Sequence, residues 1–395
     1  MANLLKDAIT LPRDARQPRL VRIRHPDYSA AENTLLCLRA LDDGGIDYDT
    51  ALVACGIVTG NTSTGFFATR EAGAQGFERV PRPDDGILRG SEYFFQLPDD
   101  HVRERPYPVV PRFEDWTFPH DAMPLPWREL DRQIQEGLSC RITDCMWGIE
   151  RANIVPLSVR DWWDREELDQ YIMTDRFSQN AIDASGNVIP LRSDIHTVFD
   201  DKVFAIVPKR DQTPGHEARG ELSLVLHVVN PITDGYFYQH YHNRKLLPLR
   251  CSIECLFARF AWTIFSPGVL GHFLDKCITS RLLLVHDPAT GTSTLESRDR
   301  EQVNALLAAL RSRSASPRKR KVPEAASNDA SLQYDLLYGD IGDGSQTDSG
   351  STERSPSRGR KRQWANDEEG LDRVIQKRGR SSFVSRCDCL ATNPR

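Results

Sequence analysis

CRITDCMWGIERANIVPLSVRDWW (140–163) and, after a polar spacer, GNVIPLRSDIHTVFDDKVFAIVPK (186–209) are the stretches on which the fold is decided. The first reads as a strand ending at Pro156 and running into a loop. The second opens on a Gly186-Asn187 turn, continues into a short helix bearing His196, and closes with the strand VFAIVPK. A strand pair followed by a helix can hold one divalent cation, leaving open positions for a phosphate oxygen and for water. Asp200 lies four residues after His196 and so on the same helix face, where imidazole and carboxylate can share that cation. Glu150 and Asp194 are further acidic candidates.

Working outward, VRIRHPDY (21–28) and NTLLCLRAL (33–41) read as strands, IDYDTALVACGIV as a helix, and ILRGSEYFFQL as a strand again. A Pro- and aromatic-rich stretch, 105–126, wraps a surface or links units. RELDRQIQEGL then starts a second unit as a helix. LSLVLHVV (222–229) is expected as a strand, and IECLFARFAWTIF (253–265) as a mostly buried helix. EQVNALLAAL (301–310) is an amphipathic helix that closes the folded part. The expected segments are 1–126 (strand-rich, with the linker), 127–285, 286–310 and a tail, 311–395.

The tail is a different material from the rest. It holds 17 basic against 12 acidic residues, a net of +5, so the chain's −5 leaves −10 on residues 1–310. Ser, Gly, Asp, Arg and Lys dominate it, with too few aliphatic residues to offset ordering entropy, and it is expected to be disordered. Arg318, Lys319, Arg320 and Lys321, and again Arg360, Lys361 and Arg362, form compact basic runs of the nuclear-localisation type. Nine cysteines behind an N-terminus without the apolar run of a secretory signal read as reduced, intracellular thiols, not as a disulfide framework. No window reaches the roughly 18 apolar residues of a membrane span, the richest, LFARFAWTIF, being interrupted by Arg259. Gly60 and Gly65 have phosphate-loop spacing, but Phe66 and Phe67 stand where Lys and Ser/Thr would bind phosphate and magnesium. His240 and His242 in YQHYHN would share one side of a strand, with no carboxylate or third His nearby.

The segment 140–209 resembles the HNH endonuclease domain found in many fungal proteins. There a Cys-x-x-Thr start leads to an Ala-His-Ile-Val-Pro strand end, and an Asn precedes an apolar-Arg-Ser-Asp-apolar-His helix followed by Phe-Asp. IRHPDY, ALDDGGIDYDTAL, GILRGSEYFF, YPVVPRFEDWTFPHD and LFARFAWTIF are similar to flanks that such chains carry, so the resemblance spans roughly residues 20–280. It implies an α+β fold with an HNH-type ββα-metal core, a strand-rich N-terminal unit and a disordered C-terminal tail. It also implies that the first His is the general base toward water, that the Asn fixes the loop aiming it, and that the last His binds metal. The middle position falls on Asn187 and the last on His196, with Asp200 as companion ligand. The first falls on Asn153, a departure, because an amide has no nitrogen that titrates near neutral pH.

The resemblance therefore implies metal-dependent phosphodiester hydrolysis with a divalent ion, Mg, Mn or Zn, on nucleic acid, DNA before RNA, slowed by loss of the base. The alternative is a degenerate HNH fold that binds nucleic acid or protein in the nucleus without cutting. Lys202, Lys209 and Arg210, or the tail, are the expected nucleic-acid contacts. The basic runs imply an import receptor as partner and a nuclear location, with cytoplasm second; secretion and membrane partners are excluded.

Overall fold

The computed structural model describes residues 19–41, 44–71, 76–98, 106–130, 137–172, 180–210, 222–230, 235–287 and 289–314. The chain divides into two compact units, Met1–Arg318 and Lys319–Arg395, and every described residue lies in the first.

Strand β1 (Leu20–Arg24) pairs antiparallel with β2 (Thr34–Arg39), whose residues from Leu35 on are all buried, as befits a strand covered on both faces. The short β3 (Ile46–Asp47) leads into α1 (Tyr48–Val58), started by the Asp47 side chain, which accepts from the Thr50 amide at 2.8 Å. Strands β4 (Phe66–Thr69), β5 (Glu78–Arg79), β6 (Ile87–Leu88) and β7 (Glu92–Gln96) follow. They build a five-stranded sheet of order β2-β1-β7-β4-β5, with a separate β3-β6 pair. After the single turn α2 (Leu125–Arg128) comes β8 (Ile149–Asn153) and, past α3 (Arg160–Arg165), β9 (Val188–Arg192) and α4 (Ser193–Asp200). Most of the helix expected over RELDRQIQEGL lies outside the described residues, and α2 ends at Arg128, its start.

Strands β10 (Phe204–Arg210) and β11 (Leu222–Val228), helix α5 (Gly235–Tyr241) and β12 (Arg244–Lys245) come next, with sheet order β10-β11-β12. Helix α6 (Ile253–Ile264) is buried at every residue, consistent with an apolar sequence broken only by Glu254, Arg259 and Thr263. It packs on β10. Helix α7 (Gly271–Asp275), the hairpin β13 (Ser280–Asp287) and β14 (Thr292–Asp299), and α8 (Arg300–Ser314) complete the described chain.

Among the described residues an apolar cluster runs from Val21 through Trp116, Phe199 and Phe257 to Leu307, so segments far apart in sequence share it. Val109 bridges to Leu283, and the buried Arg281 guanidinium donates to the Glu32 carbonyl at 2.7 Å. Helix α8 continues to Ser314, four residues past the expected end at Leu310, because Arg311 and Arg313 are good helix formers that also suit a helix C-terminus. The rest of the tail, with both basic runs, lies outside the described residues.

YQHYHN does not form a strand. Its first four residues, Tyr238–Tyr241, belong to α5, so the expected pairing of His240 with His242 fails. The aromatics that favour β-structure locally are placed here at helical spacing: Phe237 packs tilted against Tyr241 and Tyr238 stacks with His242, each four residues apart, at 4.8 and 4.7 Å. His240 is exposed, whereas His242 is buried and its Nδ1 accepts the Val228 amide at 3.0 Å.

Candidate functional site

The site grows from one hairpin and the helix that continues it. Strands β8 and β9 pair antiparallel from Ile149 opposite Arg192 to Asn153 opposite Val188, and α4 begins directly at Ser193. The Ser193 amide donates to the Gly148 carbonyl at 2.9 Å, tying the helix start to the head of β8. Ile195 and Phe199 anchor α4 in the core one turn apart. His196 and Asp200, each one residue further on, are thereby held side by side along the rim.

On β8, Ala152 is buried and Glu150, two residues earlier, shares its face. Glu150 meets the helix: its Oε2 lies 2.7 Å from His196 Nδ1, while His196 Nε2 lies 3.5 Å from Asp200 Oδ2. A carboxylate only accepts, so Nδ1 carries the hydrogen toward Glu150 and, in the neutral ring, Nε2 presents its lone pair toward Asp200. The imidazole is one-fifth exposed and both carboxylates more than half, so the arrangement opens to solvent.

Asn187 is fully buried and works as a clamp. Its Oδ1 accepts the Val155 amide at 2.8 Å, its Nδ2 donates to the carbonyls of Val155 and Ile182 at 3.0 and 2.8 Å, and its own carbonyl accepts from Ile154 at 2.8 Å. The loop after Asn153 is thus held by backbone-mimicking bonds that few other side chains could supply. Asn153 itself turns to the same neighbouring segment, donating from Nδ2 to Ile182 O at 3.3 Å and to Asp183 Oδ1 at 3.4 Å.

Other expected participants are engaged elsewhere. Asp194 forms a two-pronged pair with Arg192 at 2.6 Å, which holds its carboxyl below the usual range and keeps it off His196. The expected nucleic-acid contacts do not stand free. Lys202 lies 3.7 Å from the Trp262 ring centroid, and burial beside Arg259 brings its ammonium down to about 8. Lys209 is buried, donating to His227 Nδ1 at 3.0 Å and Asn243 Oδ1 at 2.9 Å, and burial brings it to about 8 as well. Arg210 is paired with Glu129. All three positions sit where a strand or helix end folds back on the core, which charge counting along the chain does not show.

Two residues near the site escaped sequence reasoning. Asp183 reaches Asn153 from a 3-10 turn, Ala181–Asp183, with no spacing signal to announce it. Arg259 reaches the site from α6; an Arg in the middle of a mostly apolar helix was the available clue. Trp147 and Met146, on the loop just before β8, are 84% and 70% exposed and flank the hairpin's open end.

A family model described as HNH endonuclease matches residues 140–207, the stretch that holds β8, β9, α4 and most of β10. No curated protein and no solved structure matches the chain. The chain carries an HNH endonuclease domain within a larger mixed helix-and-strand unit, and is in that sense a nuclease-domain protein. Such domains generally use a divalent metal and act on nucleic acid. Among the described residues no three His, Cys, Asp or Glu side chains converge as a metal-holding group, and no helix is long and apolar enough to cross a membrane.

Proposed function

We propose that β8, β9 and α4 form the ββα-metal unit of a DNA endonuclease that hydrolyses phosphodiester bonds slowly, its metal half kept and its general base lost. The observation that carries this is the Glu150–His196–Asp200 row. With Nδ1 committed to Glu150, the 3.5 Å from Nε2 to Asp200 is long for a hydrogen bond and would leave the ring lone pair and the carboxylate free to share one cation. His196 and Asp200 would hold the ion, and Glu150 would fix the ring's tautomer. Two protein ligands would suit magnesium or manganese, which are held by few protein groups. A divalent ion there supplies charge stabilisation to the phosphoryl and leaving oxygens. Asn187 keeps the strand end in place. Asn153 can orient water by hydrogen bonding but cannot take its proton, a deficit on the order of 100-fold to 10,000-fold.

The second reading, a nuclear binding module that no longer cuts, is favoured by the Asn153 amide, which is already bonded to Ile182 and Asp183. The basic runs 318–321 and 360–362 would serve import in either case. Calorimetry with manganese and with zinc, together with plasmid nicking, decides. Slow, metal-dependent nicking lost in His196→Ala supports the nuclease; metal binding without any nicking supports the second reading. Absence of metal binding by the wild type removes the metal site altogether.

A further inference from the structure

We infer that Arg259 is a positioning residue whose one guanidinium fixes the strand end carrying Asn153 against the helix carrying His196 and Asp200, an inference that rests on the nuclease reading above. Arg259 lies in the middle of α6 and is fully buried. Its Nη1 donates to the carbonyl of Ile154, the residue after Asn153, at 3.2 Å. Its Nη2 donates to the carbonyl of Phe199, the residue before Asp200. Between these bonds the guanidinium centre lies 3.5 Å from the Phe199 ring centroid and 4.5 Å from that of Trp262.

An ordinary packing role does not account for this residue. An arginine sealed with no carboxylate in contact among the described residues is costly, and a well-packed apolar side chain of similar volume would serve stability as well or better. Burial here brings the guanidinium down to about 9, with the Asp200 carboxylate as the opposing influence. The fixed fork of donors does what an apolar residue cannot: it joins two backbone carbonyls from different elements. Phe199 O, in the last turn of α4, accepts the Lys202 amide at 3.0 Å as well as the guanidinium, and Ile154 O follows directly on the clamp made by Asn187. The hairpin and α4 are thus tied at the head by Ser193 to Gly148, on the surface by Glu150 to His196, and from beneath by Arg259. The last of these sets the far end of α4, where Asp200 stands, relative to the strand end.

The test uses Arg259→Met, which removes both donors, and Arg259→Lys, which keeps the charge but reaches one carbonyl. Nitrogen-15 NMR of the His196 ring reports the Nδ1–H form given to Glu150, calorimetry reports manganese affinity, and circular dichroism reports folding. Ile264→Val in the same helix controls for a general loss of core packing. The expected result is loss of the Nδ1–H preference and a roughly 10-fold to 100-fold drop in manganese affinity in Arg259→Met. Arg259→Lys should be intermediate and Ile264→Val unchanged. An unaltered His196 spectrum in folded Arg259→Met overturns the inference. If that variant does not fold, an unaltered spectrum in Arg259→Lys does so. A spectrum that depends on Arg259 in a protein that binds no manganese keeps the positioning role and removes the nuclease reading instead.

Discussion

His196 stands at the rim with a carboxylate at each ring nitrogen, whereas His227 and His242, 31 and 46 residues further on, are sealed in a layer of cations. In that layer the rings are 4.9 Å apart, Lys209 donates to one, and Arg39 bears on the other. Burial and these neighbours hold both imidazoles well below their ordinary pKa. His227 Nε2 and His242 Nε2 find no partner among the described residues. The same side chain is therefore a metal-ligand candidate in one place and a silent neutral ring in the other. What separates them is the sign of the charge beside each nitrogen and whether solvent reaches it.

The largest effect that would sharpen this contrast is expected at Asn153. Asn153→His would put an imidazole beside the Asp183 carboxylate, now 3.4 Å from the amide nitrogen, and so give the rim a second histidine with an acidic partner. Nicking should rise roughly 10-fold to 1,000-fold, and Asp183→Asn in that background should take back part of the gain. An unchanged nicking time course would mean that more than a base is missing.

The next effect is on stability against pH. Between the Lys209 value of about 8 in the folded chain and its ordinary 10.5, the unfolded chain binds the extra proton, so stability should rise with pH across that window by roughly 3 kcal/mol. On the acid side the unfolded chain protonates His227 and His242 below about pH 6.5 while the folded chain does not, so stability should fall as pH drops. Urea midpoints measured from pH 5 to 10 on wild type and Lys209→Met test this: the alkaline rise should shrink in the variant, leaving the part that Lys202, also near 8, supplies. The smallest effect belongs to Asp194→Asn, which removes a solvent-facing pair with Arg192 and should change stability by less than about 1 kcal/mol, with metal affinity unaltered. A large loss of affinity there would move Asp194 into the site.

How far the sequence could be read depended on the range of each contact. The i, i+4 placement of His196 and Asp200 follows from helix periodicity, and Asn187 at a turn follows from its side-chain chemistry. Most strands and helices followed from apolar patterning for the same reason. Glu150 was visible as an acid, but not as the partner of a ring 46 positions away, and the bonds of Arg259 cross 60 and 105 positions. Such pairings are products of packing and leave no local pattern. The burial of Lys209 could not be read either, since a lysine closing a strand usually faces water and here meets His227 and Asn243 instead. Aromatic residues in YQHYHN misled in the opposite direction, local preference pointing to a strand where i, i+4 ring contacts stabilise a helix.

The placing of Asp183 beside Asn153 has an evolutionary consequence. Each asparagine codon differs from a histidine codon by one base, so a single point mutation would set an imidazole next to a waiting carboxylate, with the loop behind it already clamped by Asn187. A lineage carrying this chain could therefore gain or lose a base at that strand end without rebuilding its surroundings, and selection on cutting could act on one nucleotide at a time.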